Sequence, residues 1–349
     1  EALETDRFTR HRASDRPMTN LGIIGPGLIW EHSHRQFIAE LTDEFAVTAV
    51  SARSQRNRDR GTEAYPNATA YSDYHELIAD PNVDAVVILT PIELNAPVAM
   101  EALDAGKHAI VEKPMAVSVQ EASQLIARWE KSNKSLYILE QHVHKSVLAE
   151  VHRLVENGEI GELLTWERAV HVRIDAGDAD TTGGYGNTQW RIAPEFPLGN
   201  FFDGGIHELA FLQNLVGQPS EVFARKRNIR PDFGDADLLM MNFAYSDGTL
   251  GVFAHSAVLG AQGDWFAVRG SEAGLIVSNT EVRLRRNDGT ERLVSFDHED
   301  ERRLMWREIA AVVGSGAEPI YTPYNGRNDI RTLEAISEST ETGQPVAIR

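Results

Sequence analysis

Between residues 20 and 137 the sequence alternates short apolar runs with longer segments in which apolar residues recur at helical spacing. The apolar runs are nearly continuous, which is typical of strands that are buried on both faces. Strands and helices that alternate along a chain predict a parallel, doubly wound sheet with helices on both faces. Strands are expected at residues 21–25, 45–52, 83–90, 108–113 and 136–141.

After about residue 147 the pattern changes. One amphipathic helix is followed by longer strand-like segments, and the Asp-Gly pairs at 247–248 and 288–289 are typical of hairpin turns. These features predict a second domain of the α+β class, built on a large and mostly antiparallel sheet. The predicted division of the chain is a tail or added extension at residues 1–17, an α/β domain at 18–142 and the α+β domain at 143–349.

Composition excludes several classes of function. The chain of 349 residues carries a formal net charge of −18, which opposes binding to nucleic acid or to an anionic membrane surface. It has no cysteine, so disulfides, thiol catalysis and cysteine-ligated zinc are excluded. No apolar run approaches the ~20 residues of a membrane span, and the first 17 residues lack the apolar core of a secretory signal. A cytoplasmic protein without a nucleic-acid or membrane partner is expected.

The turn after the first strand reads GPGLIW. Gly25 permits a tight turn, and Gly27 lets backbone N–H groups approach a pyrophosphate where the next helix begins with Leu28 and Ile29. The third position of this dinucleotide fingerprint is Trp30, where Gly or Ala is usual, so looser packing of strand and helix is expected there. The motif predicts a dinucleotide-binding Rossmann domain, and the alternative is an ordinary glycine-rich turn.

The end of the second strand bears on the choice of cofactor. NAD enzymes place a carboxylate there to bind the ribose hydroxyls, but this chain reads VSARSQRNR, without one. Hydroxyl and guanidinium groups suit the 2′-phosphate of NADP, because arginine pairs with phosphate oxygens in a bidentate manner. We therefore expect NADP rather than NAD, with Ser51, Arg53 and Ser54 as contacts. For Arg56 and Arg58, a solvated helix face is the stronger interpretation.

A second group of residues predicts chemistry. Lys113, in the triplet EKP, ends a strand of the parallel sheet at the edge where ligands collect, and it can stabilise an oxyanion near a nicotinamide. The segment FFDGGIHEL carries Asp203 and His207 four residues apart, on one helical face. A histidine beside a carboxylate is a natural proton carrier near neutral pH. The alternative for this pair is structural, namely a helix N-cap and a buried, hydrogen-bonded histidine.

Other histidines are weaker candidates for a functional site. His142 follows the fifth expected strand and His171 lies on a strand of the second sheet, and both are candidates for the substrate pocket. The histidines show no metal-ligand spacing, so no metal site is predicted. Solvated or structural roles are expected for His32, His34, His75 and His152.

Taken together, these segments resemble a known family. The sequence is similar to the Gfo/Idh/MocA group of glucose–fructose oxidoreductase, inositol dehydrogenase and rhizopine-catabolism proteins over residues ~20–345. The resemblance implies a nicotinamide-dependent oxidoreductase that acts on a sugar, a polyol or a related cyclic alcohol. The segments that carry it follow the family's order: GIIGPG, VILTPIELNAPVAMEALDAGKHAIVEKPMA, WRIAPEFPLGNFFDGGIHELAFL and GRNDIRTLEAISESTETGQPVAI.

The resemblance also implies roles for individual residues. Lys113 would contact both substrate and nicotinamide, His207 would exchange the hydroxyl proton, and Asp203 would bind and orient the substrate. The run SAR of the second strand looks like that of NADP-using members. The chain departs from the family pattern in QHVHKS, which replaces the usual N-x-R, and at position 95, where members commonly have His. Further implied cofactor contacts are Thr90, Pro91, Asn95, Glu112, Trp190 and Arg191.

The leading hypothesis is hydride transfer between NADP(H) and a sugar-like alcohol or carbonyl. One alternative is an NAD-dependent glycosidase that acts by transient oxidation, and the arginine-rich second strand counts against it. Another is a non-catalytic regulator that senses a sugar and a dinucleotide, and the presence of both Lys113 and His207 counts against it. A homodimer or homotetramer is expected, because an open antiparallel sheet leaves a broad face to cover.

Overall fold

The computed structural model describes residues 18–174, 196–230, 234–260, 264–278 and 280–349. Over these residues the chain forms one sheet of six strands and one of nine. Trp190 and Arg191, predicted to contact the cofactor, lie outside the described residues. Among the helices in the described ranges, none is both long and apolar enough to cross a lipid bilayer.

The first sheet is parallel throughout and follows the order β3-β2-β1-β4-β5-β6. This order confirms the predicted doubly wound fold and reverses direction between β1 and β4, where ligands bind beyond the carboxyl ends of the strands. Only the short edge strand β3 was not expected, since its three residues are largely exposed and form no apolar run. The strands are β1 (Thr19–Ile24), β2 (Phe45–Ser51), β3 (Thr69–Tyr71), β4 (Ala85–Ile88), β5 (His108–Glu112) and β6 (Leu136–Leu139).

The helices that join these strands start at side-chain caps. Ser54, Asp73 and Ser118 each accept a hydrogen bond from a backbone N–H of the first helical turn, which satisfies a donor that has no partner within the helix. The helices are α1 (Arg35–Ala39), α2 (Gln55–Ala64), α3 (Tyr74–Ala79), α4 (Ile92–Asp104) and α5 (Val119–Trp129).

Trp30 does not loosen the packing beside the glycine-rich turn, contrary to the expectation from the sequence. The indole is fully buried in the core of the first domain, and its ring lies 5.9 Å from that of Tyr65. The helix that follows the turn widens into a π-helical segment over Trp30–His34 before it continues as α1. The wider turn accommodates the large side chain within the core.

The second sheet is antiparallel except where β7 and β10 run parallel, which confirms the prediction of a mostly antiparallel sheet. Gly248 and Gly289 have φ values of 94° and 87°, which glycine adopts without strain, at the two predicted hairpin turns. The strands are β7 (Leu163–His171), β8 (Glu221–Arg227), β9 (Leu238–Ala244), β10 (Leu250–Ser256), β11 (Trp265–Gly270), β12 (Ala273–Val277), β13 (Val282–Arg286), β14 (Glu291–Val294) and β15 (Val346–Ala347).

The later helices connect the two sheets. α8 supplies Met305, Trp306 and Ile309 to the same apolar core as β1 and β2, so its contacts cross the predicted division after residue 142. A π-helical segment, Phe201–Gly205, leads directly into α7 and places its side chains at the junction of the two domains. The helices are α6 (Ser146–Glu156), α7 (Ile206–Val216), α8 (Glu301–Ser315) and α9 (Pro323–Thr342).

Candidate active site

A cleft of about 620 Å³ lies at the carboxyl edge of the first sheet, between the two domains. One wall comes from the helix after β1 and the residues that follow β5 and β6, and the other from β7, β10, α7 and the start of α8. Such a crevice at a switch in strand order is where α/β sheets bind ligands. The titratable side chains on its described walls include His34, Glu112, Lys113, His142, Asp203 and His207.

Lys113 and Asp203 meet across this cleft although 90 residues separate them. The Lys113 ammonium donates to Oδ1 and to the backbone carbonyl of Asp203, each at 2.8 Å. Both side chains are nearly buried, with exposed fractions of 11% and 8%. The two residues therefore form a linked cation and anion at the wall of the cleft.

Asn95 holds the backbone around Lys113 in place. Its amide nitrogen donates to the carbonyls of Glu112 at 3.0 Å and Pro114 at 2.9 Å, and its oxygen accepts from the Thr90 hydroxyl at 2.8 Å. The side chain is 1% exposed and lies behind the end of β5, away from the cleft. Predicted as a cofactor contact, Asn95 is placed by the structure as a residue that positions Lys113.

A chain of hydrogen bonds from α8 also holds the backbone at Lys113 in place. The Trp306 indole donates to Nδ1 of His34 at 3.2 Å, so Nε2 of His34 carries the proton and donates to Glu112 at 2.8 Å. The second Glu112 oxygen accepts from the backbone N–H of Lys113 at 3.0 Å. His34 is buried, so of the two roles expected for it, solvated or structural, it has the structural one.

His207 pairs with Glu140 and not with Asp203, the carboxylate that the spacing in the sequence suggested. Nδ1 of His207 lies 2.8 Å from both oxygens of Glu140, whose side chain is fully buried. Glu140 directly follows β6, at the same carboxyl edge of the sheet as Lys113. This position at a strand end was the signal that could have identified it from the sequence.

The charge state of the pair follows from its surroundings. Burial alone would raise the pKa of Glu140, but the attraction of His207 and its hydrogen bond outweigh burial and hold that pKa at about 2. Glu140 is therefore ionised and accepts the Nδ1 proton of His207. The other ring nitrogen, Nε2, is then left as the proton acceptor or donor for a ligand in the cleft.

His142 stacks on His207, with ring centroids 4.5 Å apart and planes inclined by 27°. Burial and the neighbouring His207 hold the pKa of His142 well below its ordinary value, so the ring stays neutral. Nδ1 of His142 lies 3.6 Å from Glu208, which in turn accepts a hydrogen bond from Arg168 at 2.8 Å. His142 therefore lines the cleft as an uncharged neighbour of His207.

His171 does not line the cleft, contrary to the prediction that it contacts substrate. Side chains alternate between the two faces of a strand, and in β7 it is Val170 and, just beyond its end, Val172 that face the cleft. The backbone N–H of His171 donates to Asp264 at 2.7 Å, near the end of the strand. The sequence showed the strand but not which of its faces would meet α7.

Glu140, His142 and His207 also present ligand atoms within 4.8 Å of one another, a spacing compatible with a metal ion. The contact between His207 Nδ1 and Glu140 already has the length of a hydrogen bond to a charged group. We therefore interpret these side chains as a proton-transfer pair with a stacked neighbour.

The glycine-rich turn fits the pyrophosphate of a dinucleotide. Gly25 has φ +81°, and a Cβ there would lie 2.5 Å from the carbonyl oxygen of Leu89, so only glycine fits. A Cβ on Gly27 would meet no protein atom closer than 3.7 Å, so the fold itself does not require glycine there. The missing side chain leaves open space where the helix begins with Leu28 and Ile29, which suits a phosphate.

The end of β2 divides the predicted NADP contacts into two groups. Ser51 is buried, and its carbonyl accepts from Gly25 N–H at 2.9 Å, so it shapes the turn. Arg53 and Ser54 are exposed at the start of α2. Arg58 donates to the carbonyls of Ala52 and Arg53, which is a structural role. Among the described residues the Arg53 side chain makes no hydrogen bond or ion pair, so it is available to a nucleotide at this end of the strand.

His255 lies on the wall of the cleft, and its pKa predicts how the stability of the fold changes at acidic pH. Burial lowers its pKa to about 4 from an ordinary value of 6.5. Because the folded state disfavours the protonated ring, His255 stabilises the fold above pH 6.5, and this contribution is lost as the pH falls from 6.5 towards 4. Between pH 7 and 4.5, the free energy of unfolding should fall by ~1–3 kcal/mol less in His255→Gln than in the wild type. The measurement is urea unfolding at both pH values. The variant His298→Gln, at an exposed histidine, should leave the loss unchanged, and an unaltered slope in His255→Gln would contradict the assignment.

Family models match two segments of the chain. The model of an oxidoreductase family with an NAD-binding Rossmann fold, named GFO_IDH_MocA, covers residues 19–140, and that of the GFO/IDH/MocA C-terminal domain covers residues 148–276. The chain belongs to the Gfo/Idh/MocA family. This Gfo/Idh/MocA protein is therefore an oxidoreductase with an NAD(P)-binding domain, in agreement with the resemblance of its sequence motifs.

Similar proteins extend over both domains. The uncharacterized protein YMR315W of Saccharomyces cerevisiae is 27% identical over 245 residues, which cover 69% of this chain and 68% of that protein. The scyllo-inositol 2-dehydrogenase (NADP(+)) IolW of Bacillus subtilis is 21% identical, and the match covers 94% of this chain and 95% of the relative. The crystal structure of an oxidoreductase from Thermotoga maritima superposes with a TM-score of 0.87 at 26% identity, over 95% of this chain and 99% of the other.

Proposed function

We propose that this Gfo/Idh/MocA protein transfers a hydride between NADP(H) and a secondary alcohol or carbonyl of a sugar or polyol. The observation that carries the proposal is the convergence of Lys113, held by Asp203, and His207, held by Glu140, on one cleft at the nucleotide edge of the first sheet. A cation and a proton carrier on facing walls are what the oxidation of an alcohol requires. The name of the inositol dehydrogenase relative supports a polyol-like substrate.

Each residue has a distinct part in this reaction. In the oxidation direction His207 takes the hydroxyl proton at Nε2, and the ionised Glu140 stabilises the imidazolium that forms. The Lys113 ammonium stabilises the negative charge that develops on the substrate oxygen, and Asp203 fixes that ammonium in place. A bound nicotinamide supplies the acceptor or donor of the hydride. In the reduction direction His207 returns the proton to the same oxygen.

An activity screen tests the proposal. The purified protein is offered NADP⁺ with a panel of aldoses and polyols, and NADPH formation is followed by absorbance. A substrate that gives stoichiometric NADPH and ketone or lactone supports hydride transfer. Release of nitrophenol from a glycoside without net NADPH would indicate a glycosidase that acts by transient oxidation. Binding of sugar and dinucleotide without any turnover would indicate a regulator, and either of these results would overturn the proposal.

The preference for NADP over NAD rests on Arg53. It is exposed at the end of β2, where the chain offers hydroxyl and guanidinium groups and no carboxylate. We expect Arg53→Ala to weaken NADPH binding ~10–100-fold, since a hydrogen bond to a charged group is worth ~1.5–3 kcal/mol. NADH binding should hardly change. Both affinities are measured by quenching of tryptophan fluorescence, with the exposed Arg56→Ala as the matched control.

The outcomes of this titration separate cofactor choice from chemistry. If the wild-type protein binds NADH more tightly than NADPH, the assignment of NADP fails while hydride transfer stands. If Arg53→Ala weakens both cofactors equally, Arg53 binds a part of the dinucleotide that both share. A selective loss of NADPH affinity would support the contact with the 2′-phosphate.

We also propose that the protein assembles through the outer face of the second sheet. The register of the strand pairs places exposed apolar side chains of β9, β10, β11, β12 and β14 on that one face. Several large apolar side chains exposed on one face of a sheet are typical of an interface. The side chains are Met240, Leu250, Val252, Trp265, Ile276 and Leu293, each more than two-fifths exposed.

Light scattering after gel filtration tests the assembly. The wild-type protein should have at least twice the mass of one chain, and Val252→Lys should shift the mass to that of one chain by burying a charge at the centre of the face. Ile320→Lys, at an exposed apolar residue outside the sheet, is the matched control and should leave the mass unchanged. A wild-type protein with the mass of one chain would contradict the proposal.

A further inference from the structure

Two ring nitrogens on one wall of the cleft have no partner within the described residues. Nδ1 of His207 is held by Glu140, whereas Nε2 of His207 makes no hydrogen bond there. In His142 the buried nitrogen is Nδ1, which also lacks a hydrogen bond, and Nε2 is neither buried nor bonded to the described part of the chain. Both side chains line the cleft and are partly exposed, by 19% for His142 and 16% for His207. Nε2 of each ring is therefore within reach of a ligand.

The position of the ring proton decides what His142 can bind. Glu208 lies 3.6 Å from Nδ1 of His142, beyond the length of a hydrogen bond but close enough for its charge to act. Burial alone would raise the pKa of Glu208, but the attraction of Arg168 outweighs burial and brings that pKa to about 2, so Glu208 is ionised. A negative charge that faces Nδ1 favours the tautomer with the proton on Nδ1. Nε2 of the neutral ring then carries a lone pair and can only accept a hydrogen bond.

Glu140 holds the two rings beside each other. Its Oε1 accepts from the backbone N–H of His142 at 2.9 Å, and both of its oxygens lie 2.8 Å from Nδ1 of His207. The ring centroids are 4.5 Å apart, and the ring planes are inclined by 27°. A group proposed to exchange a proton, His207, and a group that only accepts a hydrogen bond, His142, therefore lie side by side on one wall.

We propose that His142 binds the hydroxyl on the carbon beside the reacting one, so that the protein selects a vicinal diol. This proposal rests on the proposed hydride transfer at the carbon whose hydroxyl meets His207. When Nε2 of His207 takes the proton of that hydroxyl, the neighbouring hydroxyl donates to Nε2 of His142. Oxidation removes a hydride from the reacting carbon and a proton from its oxygen, and it leaves the neighbouring hydroxyl unchanged. The product is an α-hydroxy carbonyl compound, which keeps the donor that His142 binds.

The lone pair on Nε2 of His142 selects against other substituents at that neighbouring carbon. An ether oxygen or a carbonyl has no proton to donate, and its own lone pairs would face that of the nitrogen. A hydrogen atom or a methyl group makes no hydrogen bond at all. In each case the ligand shields an acceptor from water without giving it a partner, which lowers the affinity.

Kinetics with three small cyclic alcohols test the proposal. They are trans-cyclohexane-1,2-diol, its monomethyl ether and cyclohexanol. We expect the wild-type kcat/KM to be ~5–50-fold higher for the diol than for the other two, because an acceptor that loses water and gains no partner is costly. His142→Phe keeps a ring stacked on His207 but has no ring nitrogen, so it should lower kcat/KM for the diol alone and abolish this preference. The exposed His298→Phe is the matched control and should retain it.

Binding to the complex with NADPH separates this proposal from that of hydride transfer, because this complex cannot oxidise an alcohol. Titration followed by the fluorescence of bound NADPH should give a lower Kd for the diol than for its monomethyl ether, and His142→Phe should remove the difference. If this selectivity is found while no alcohol is turned over, the role of His142 stands and hydride transfer fails. A wild-type protein that treats the diol and the ether alike would overturn the proposal. So would an equal loss of kcat/KM for all three alcohols in His142→Phe, since it would show that His142 only orients His207.

Discussion

Replacing His207 with alanine is expected to lower kcat by ~10²–10⁴-fold, the contribution typical of a positioned general acid or base. The physical reason is the pairing of Nδ1 with the buried Glu140, which fixes the ring and leaves Nε2 to exchange the substrate proton. Steady-state kinetics with a substrate from the activity screen would measure the loss. Dinucleotide affinity should remain close to that of the wild type, because His207 acts on the substrate side of the cleft.

Two further variants show whether the loss is specific. Glu140→Gln keeps a hydrogen-bonding group near Nδ1 but removes the negative charge, so it should lower kcat by less than His207→Ala and shift the pH–rate profile. His75→Ala, at an exposed histidine that pairs with Glu101, should leave the rate unchanged. An unaltered kcat in His207→Ala would remove the residue from the mechanism.

Replacing Lys113 with methionine is expected to lower kcat/KM by ~10²–10³-fold, as loss of one stabilising donor does at a developing oxyanion. Methionine keeps much of the length of the side chain but carries no charge. The variant also leaves the nearly buried Asp203 without its cation, which adds to the effect. The measurement is steady-state kinetics at saturating dinucleotide.

The double variant Lys113→Met with Asp203→Asn separates the two causes of that loss. If the uncompensated carboxylate were the whole effect, the second substitution would restore the rate. We expect it to recover folding stability, measured by urea unfolding, while kcat/KM stays low. Lys131→Met, at an exposed lysine, serves as the matched control. A single variant with the wild-type kcat/KM would refute the assigned role of Lys113.

Local patterns were sufficient to predict the fold and part of the site. Continuous apolar runs fix the parallel strands, and the end of such a run places Lys113 at the carboxyl edge, where ligands bind. The four-residue spacing of Asp203 and His207 brings both to one wall of the cleft. These inferences depend on residues close in sequence, which is why a single sequence carried them.

What the sequence could not show are pairings between distant residues. Glu140 meets His207 across 67 residues, and Trp306 meets His34 across 272. No local rule selects one carboxylate out of many as the partner of a given histidine. The placement of His171 failed for a related reason, since the alternation of side chains along β7 is visible but the face that meets α7 is set by tertiary packing.

The route of α8 back to the first sheet limits how this protein can be divided or can move. The Trp306 indole of α8 begins the chain of hydrogen bonds that runs through His34 and Glu112 to the backbone N–H of Lys113. A fragment that ends after the nucleotide domain would lack these hydrogen bonds from α8 and would expose the apolar surface that α8 covers. For the same reason, a rotation of one domain against the other about α8 would displace Lys113, the residue proposed to stabilise the substrate oxyanion.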